Sequence, residues 1–525
     1  MIGTTAMLAI LWRAQRRRLL VWVFATVGSL AFTAIAVAQL YDTPEEIASY
    51  GEAVVSDALI AINGHVEGID TLGGIIQDEF GFIASFLMPL LGLTLVAGMT
   101  RSEEESGRLE ALLAGRIDRP VPVVSALVLV GAAVSVMDVG FVLSQLAAGL
   151  DLSSSVLYAL ALGMVTIVFA ALAAVFAQIV QHSRGVYALG FAVVGLSYIL
   201  RGVGDVNDTF WVWLSPLGWL EKTAPFAKDQ RWWVLLIPMV VAMALSALAV
   251  VLARRRDLGA AMYRQGPGEP AASSWLVRPL GLAMHGQRGA FLGWLAGSVA
   301  LAAVMGALAQ EVVGAILGNP SISEAMGITE ANAADGFLAS TQVYLAIIAC
   351  GYVVQSLGTL RREEAAGRLE PMLAGALGRV RWFGAQVLVV TTGLAAMVVA
   401  SAAVFGVTTA LSTGDSGYVS TLLKAGLAYL PAELVIAAVA MLLYGAVPRA
   451  FALAWIAFAA VTFIGLLGSG LQFPDWVLNL SPLTHVGKPP VDDVDPEALG
   501  WLMLIAALLA SAACVGFRRR RVPQG

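Results

Sequence analysis

Charge is scarce in this chain. Of 525 residues, 13% are Asp, Glu, Lys or Arg, about half the roughly 25% of an average soluble domain, and this excludes a water-facing globule as the fate of most of the sequence. Cysteine is nearly absent: Cys350 and Cys514 both lie in apolar runs, which excludes a disulfide framework and leaves them as small packed thiols. The four histidines, His65, His182, His285 and His485, have no Cys or carboxylate at ligand spacing, so no metal is assigned. No G-x-x-x-x-G-K-[ST] loop occurs. The one Gly-Lys pair, Gly487-Lys488, runs into prolines, and the sequence therefore offers no phosphate cradle and no ATPase site of its own. Lys and Arg are missing altogether from 41–81 and 311–338, although both stretches are rich in acids.

What is present is length without charge. Hydrophobic residues make up 59% of the chain, and runs of roughly 17–25 apolar residues read as membrane spans. Twelve are expected, near 19–40, 82–100, 121–148, 156–180, 186–204, 233–253, 291–310, 339–360, 384–410, 421–446, 450–470 and 498–517. With both ends inside, 25 of the 31 basic residues fall on the cytoplasmic face and the acidic loops fall outside, which satisfies the positive-inside rule. The formal net charge of −5 hides this polarity. The first run follows an Arg cluster and has no small-residue cleavage pattern, so it is expected to stay as an anchor.

One segment occurs twice. Arg101 to Gly115, RSEEESGRLEALLAG, returns as Arg361 to Gly375, RREEAAGRLEPMLAG, at a constant offset of 260. Gln15, Arg16 and Trp22 likewise return as Gln287, Arg288 and Trp294, and Ser215-Pro216-Leu217 as Ser481-Pro482-Leu483. The recurrence predicts an all-α polytopic membrane protein of twelve transmembrane helices built as two parallel six-helix repeats. The expected domains are a first repeat over 1–253, a cytoplasmic linker over 254–275 rich in Gly, Pro, Ala and Ser, and a second repeat over 276–525. Each repeat should open on an interfacial helix, 4–18 and 276–290, lying in the headgroup plane.

The repeated segment has helical logic. Leu109, Leu112 and Leu113 share a face away from Glu103, Glu104 and Glu110. In the second copy Pro371 is excluded from a helix interior but fits a first turn. Each span should therefore continue through its paired glutamates, break at Gly107 or Gly367, and restart as a short helix ending near Gly115 or Gly375. Topology alone needs Arg; it does not need Gly, Glu and Leu at fixed spacing.

R-x-E-E-x-x-G-R-L-E-x-x-L-A between the second and third spans of a six-span unit resembles the coupling segment of ABC-2 type exporter permeases, above all the fused twelve-span permeases of actinobacterial multidrug and polyketide-antibiotic efflux. The resemblance implies a transport subunit in the bacterial plasma membrane that is not itself an enzyme, served by two copies of a nucleotide-binding ATPase subunit that hold ATP and Mg. It implies a hydrophobic or amphipathic substrate, the lipid bilayer as the surrounding medium, and no nucleic acid. It also implies docking surfaces at Glu103, Glu104, Gly107, Arg108, Leu109 and Glu110, and at Glu363, Glu364, Gly367, Arg368, Leu369 and Glu370. The copies differ at Glu105, replaced by Ala365, and at Pro371, so the two surfaces should not be equivalent. Two acids fall inside expected spans, Asp138 and Glu433; at a cost of roughly 2.5–3.5 kcal/mol on insertion scales they read either as substrate-pathway residues or as protonated packing residues. An ion-gradient-driven carrier and a non-transporting scaffold are the alternatives, and both would lack a stoichiometric ATPase.

Overall fold

The computed structural model describes residues 3–41, 43–54, 57–109, 117–257, 259–262, 271–311, 313, 330–375, 377–467 and 474–520. The chain divides into two compact units, Met1–Pro267 and Gly268–Gly525, and every described regular element is helical.

The first unit contains α1 (Thr4–Leu40), α2 (Pro44–Ala53), α3 (Asp57–Asn63), α4 (Leu72–Met99), α5 (Arg101–Glu105), α6 (Val121–Ala147), α7 (Leu152–Ile179), α8 (Ser183–Val206), α9 (Pro216–Lys222) and α10 (Leu236–Arg255). The second contains α11 (Pro279–Ala307), α12 (Glu330–Ala365), α13 (Leu369–Ala374), α14 (Arg379–Thr413), α15 (Gly417–Ala446), α16 (Ala452–Leu467), α17 (Asp475–Leu478) and α18 (Pro496–Arg519). Eleven helices among the described residues are long and apolar enough to cross a membrane, so the chain is an all-α, multi-pass membrane protein. The run expected at 450–470 is α16, a shorter apolar helix, and the residues that follow it, 468–473, lie outside the described set.

Three elements depart from the sequence expectations. The stretches 4–18 and 279–290 are not separate helices: each continues into the next span without a break, as α1 and α11. α4 starts ten residues before the expected span, because Thr71 caps it, its hydroxyl accepting from Gly74 N at 3.0 Å. Asp78, which made this stretch look like a loop, sits inside α4 and accepts from Tyr50 of α2 at 2.7 Å and from Asn63 of α3 at 2.9 Å. α2 and α3 are thus tied to α4. The connector expected to be free from 254 is also held as far as Met262, whose N–H reaches Gln178 O at 3.3 Å.

Within each unit the second and fourth spans are the core. Between 61% and 72% of the most apolar window of α4, α7, α12 and α15 is buried, against 17–33% in α1, α6, α8, α10, α11, α14 and α18. The latter helices turn Phe24, Phe32, Val136, Ile199, Leu292, Leu411 and Leu508 outward, as lipid-facing helices must. Lipid is as apolar as leucine, so helix association there depends on close packing and small residues. Gly92 of α4 meets the α7 backbone: a Cβ at Gly92 would press on Thr166 O and lie 2.8 Å from Ala170 N. In the second unit Gly445 of α15 and Gly516 of α18 bring those helices together in the same way, against Ala513 and Ala446.

The two second spans differ in two places, the first being Pro89 inside α4, where α12 has no proline. Thr100 lies between α4 and α5 with φ −117° and ψ −85°, a kink, whereas α12 runs unbroken through Glu364 to Ala365.

The Gly92 contact yields a test. Gly92→Leu forces α4 and α7 apart at a backbone-to-backbone contact and is expected to cost about 3 kcal/mol, the upper end of the usual overpacking range. The cost is measured as a fall in Tm of the purified protein in detergent; an unchanged Tm would show that the two helices do not meet there.

Candidate functional site

The site grows out of the end of the second span in each unit. In the first, Gly107 has φ +74°, and in the second Gly367 has φ +73°, a left-handed conformation that other residues adopt only with strain. The turn is closed by the next residue. Arg108 donates to Glu103 through Nε at 2.7 Å and Nη2 at 2.9 Å, and Arg368 donates to Glu363 through Nη2 at 3.0 Å. Leu109 and Leu369 then turn inward and are buried, at 5% and 1% exposure. The helix restarts as expected in the second unit, as α13, with Pro371 in its first turn and Gly375 at its end. Its counterpart in the first unit, including Glu110, lies outside the described residues. Glu370 is exposed.

The second glutamate of each pair behaves differently from the surface acid that the sequence implied. Glu104 is buried, its side chain 4% exposed, and both its oxygens are taken by Arg256, Nη1 to Oε1 and Nη2 to Oε2 at 2.6 Å each. Arg101, itself buried, adds a bond at 2.8 Å and the Gly259 N–H another at 2.7 Å. Glu364 repeats the arrangement with Arg520, at 2.7 Å and 2.6 Å. Arg256 and Arg520 are the residues immediately after α10 and α18, the last spans of their units. A doubly hydrogen-bonded carboxylate–guanidinium pair therefore ties the second span to the last span in both units. In sequence, the clusters 254–256 and 518–521 count only toward the positive-inside bias. The signal that would have found their role is that Arg256 and Arg520 stand 264 apart, close to the repeat offset.

Around this shared pair the two units are built differently. In the first, Arg256 Nε donates to Gln178 Oε1 at 2.7 Å. In the second, Tyr444 stands near that place at the end of α15, and Arg520 stacks over the rings of Tyr444 and Phe517 at 5.1 Å and 4.8 Å, with Phe383 stacked on Phe517 at 4.8 Å. Glu105 accepts from the Ser183 hydroxyl at 2.6 Å, the Ser183 N–H at 2.9 Å and His182 Nδ1 at 3.0 Å. Ala365 can do none of this, although Arg361 Nε donates to Pro448 O at 3.0 Å as Arg101 Nε donates to Gln181 O at 2.8 Å in the first unit.

Family membership can be set on this geometry. Residues 276–518 match the family described as multidrug efflux system permease Rv1217c, C-terminal domain. Across 99% of its length the chain is 32% identical to the multidrug efflux system permease protein Rv1217c of Mycobacterium tuberculosis, and it covers 95% of that protein. This chain belongs to the Rv1217c permease family. As a member of that family it is a transport protein rather than an enzyme, and the paired elements above are the parts of a permease that face its charged end.

The two intramembrane acids are not brought together with that site. Asp138 on α6 lies against Gly163 of α7, where a Cβ would come within 2.5 Å of its Oδ1, and that oxygen has no hydrogen-bond partner. Glu433 on α15 is 1% exposed, and its Oε2 is likewise unpartnered. It borders a small cavity shared with Gln342, Ser401 and Tyr429. A further buried polar cluster in the first unit was not visible in the sequence. Arg201 is buried at 1% exposure, donates to Ser85 Oγ at 3.0 Å and pairs with Glu221 at 3.4 Å, while Lys222 pairs with Asp205 at 3.7 Å. Burial pushes the Glu221 carboxyl well above the usual carboxylate range. A lone Arg in an apolar run and an acid 20 residues later carry no periodicity that links them.

The buried pairs generate a stability test. Removing one member of a buried pair leaves the other uncompensated, at about 3–5 kcal/mol. Glu104→Gln and Glu364→Gln should therefore both lower Tm markedly. Glu104→Gln should lower it more, because Arg101 as well as Arg256 loses its carboxylate. Glu103→Gln, at the open turn, should leave Tm unchanged. A Glu364→Gln/Arg520→Gln double variant no worse than either single would confirm the coupling, and strictly additive losses would refute it.

Proposed function

We propose that this permease is the membrane subunit of an ATP-driven exporter of the ABC-2 type, moving hydrophobic or amphipathic drug-like, antibiotic or lipid-like molecules out of the cell. In this reading it sits in the bacterial plasma membrane with both termini in the cytoplasm. Two copies of a nucleotide-binding ATPase subunit, holding ATP and Mg, dock on the two charged repeats. The substrate class follows from the printed name of the relative from Mycobacterium tuberculosis and from core helices rich in Ala, Val, Leu and Gly.

The observation that carries the reading is the repeated construction at the charged end. In both units a glycine turn closed by an Arg–Glu pair is anchored by a buried leucine, and a buried Glu–Arg pair fastens its base to the last span. Such an element passes a push from a soluble partner to two spans at once. Its free face carries Arg108 in the first unit and Arg368 and Glu370 in the second. Glu104 and Glu364 have a different role from direct docking: they transmit. Glu433 is the better of the two acids for a substrate pathway, since it is fully buried beside a cavity with polar walls; Asp138 is packed against a helix backbone.

Two outcomes test the proposal. Exchanging charges within both turns, Glu103→Arg/Arg108→Glu together with Glu363→Arg/Arg368→Glu, should preserve the turn and Tm yet abolish co-purification of the ATPase and its stimulation. A complex that survives the exchange with full ATPase activity would sink the docking assignment, and a wild-type chain that transports without any ATPase would point to an ion-driven carrier. Glu433→Gln should reduce transport of cationic dyes and spare neutral ones; equal transport of every cation tested would remove Glu433 from the pathway.

A further inference from the structure

Among the described residues of the second unit, three arginines at its charged end form no ion pair. At the charged end, the end of α12 and the segment leading into α16 enclose a groove of about 590 Å3 bordered by Arg361, Arg362, Arg449, Gln355, Phe451 and Trp455. Arg361 donates to Pro448 O at 3.0 Å and Arg362 to Thr359 Oγ1 at 3.1 Å. Among the described residues no carboxylate forms an ion pair with Arg361, Arg362 or Arg449.

The first unit shows what is missing. There the repeat supplies its own anion at this place: Glu105 reaches across to the start of α8 and accepts from His182 and from the backbone and hydroxyl of Ser183. The second unit has Ala365 at the corresponding position, while the arginine before α16, Arg449, has a counterpart in Arg184 at the start of α8, so the change between the units is the loss of the carboxylate. An internal carboxylate has been exchanged for an open, arginine-lined groove. Three guanidinium groups at one mouth match the oxygens of a phosphate better than those of a scattered set of carboxylates, because each presents a planar fork that binds phosphate through paired N–H bonds.

The rest of the groove selects among phosphates. Its other wall belongs to α16, where Trp455 borders the groove and Leu453 and Ile456 beside it are exposed apolar side chains. A basic mouth continuous with a lipid-facing wall, with a tryptophan at the border, is the geometry of a headgroup site between spans. The volume suits a phosphate with its glycerol backbone.

We propose that this groove binds the headgroup of one anionic phospholipid of the cytoplasmic leaflet, at the second repeat only. The proposal rests on the reading above that the charged ends face the cytoplasm, but it concerns the isolated permease and does not require an ATPase.

The test is native mass spectrometry of the full chain, purified in detergent and titrated with phosphatidylglycerol, with phosphatidylcholine, and with phosphatidylcholine plus millimolar inorganic phosphate. Wild type should retain one phosphatidylglycerol that phosphatidylcholine does not displace. Loss of two cationic contacts in Arg362→Gln/Arg449→Gln should weaken its binding roughly 30-fold, taking about 1 kcal/mol for each charge near an anionic lipid, while Arg362→Lys/Arg449→Lys should keep most of it. Ala365→Glu, at an exposed position, should weaken it comparably by restoring the internal anion; this variant decides the matter if the double glutamine variant does not fold. Equal phosphatidylglycerol binding by wild type, the glutamine pair and Ala365→Glu would overturn the proposal. So would displacement of the lipid by inorganic phosphate. Failure of ATPase docking with intact, arginine-dependent lipid binding would instead count against the transport reading alone.

Discussion

A carboxylate and a guanidinium buried together at the border of an apolar helix bundle constrain everything near them. Taking Glu104 and Arg256 out of water is costly for each, and only their double hydrogen bond, with Arg101 and the Gly259 N–H completing the shell, offsets that cost. Neither group can leave alone. The charged ends of α4–α5 and α10 in the first unit, and of α12 and α18 in the second, are consequently fixed to one another more firmly than lipid-facing packing would fix them. The base of each charged turn is not free to move without the last span of its unit.

The same constraint is met with different chemistry in the two units. Gln178 hydrogen-bonds Arg256, whereas Tyr444, Phe517 and the ring stacked behind them cradle Arg520 by cation–π contact. The first unit spends a further carboxylate, Glu105, on its own α8, and the second leaves arginines exposed there. Duplication preserved the pair that holds spans together and released the positions around it, so the halves share a skeleton while presenting different surfaces. The two charged turns therefore stand in different surroundings although they share one construction.

Much of this was legible in the chain itself. Apolar run length placed eleven of the spans, because a continuous apolar run of this length can satisfy its backbone in a bilayer within itself only as a helix, and the offset of 260 located both turns and their glycines. What sequence could not supply was depth. Glu103 and Glu104 are adjacent and chemically identical, yet one closes an exposed turn and the other is sealed inside, a difference set by Arg256 arriving 152 residues later. Asp78 and Glu79 made the start of α4 read as loop for the same reason, since their partner Tyr50 lies on another helix. Arg201 and Glu221 are a third case. In each, the residue's own neighbourhood argued for water, and a distant element overruled it.

The kink at Thr100 gives the two units unequal stiffness. α12 is a single rod of 36 residues, about 54 Å at 1.5 Å per residue, and a displacement at its Glu364 end reaches its far end with only elastic bending lost on the way. The corresponding rod in the first unit is bent at Thr100 and carries Pro89 inside it, so a displacement at Glu104 would be shared between bending at these points and movement of α4. On the export reading proposed above, equal strokes at the two turns would then travel unequally far across the membrane, the second unit moving as a stiff lever and the first as a compliant one.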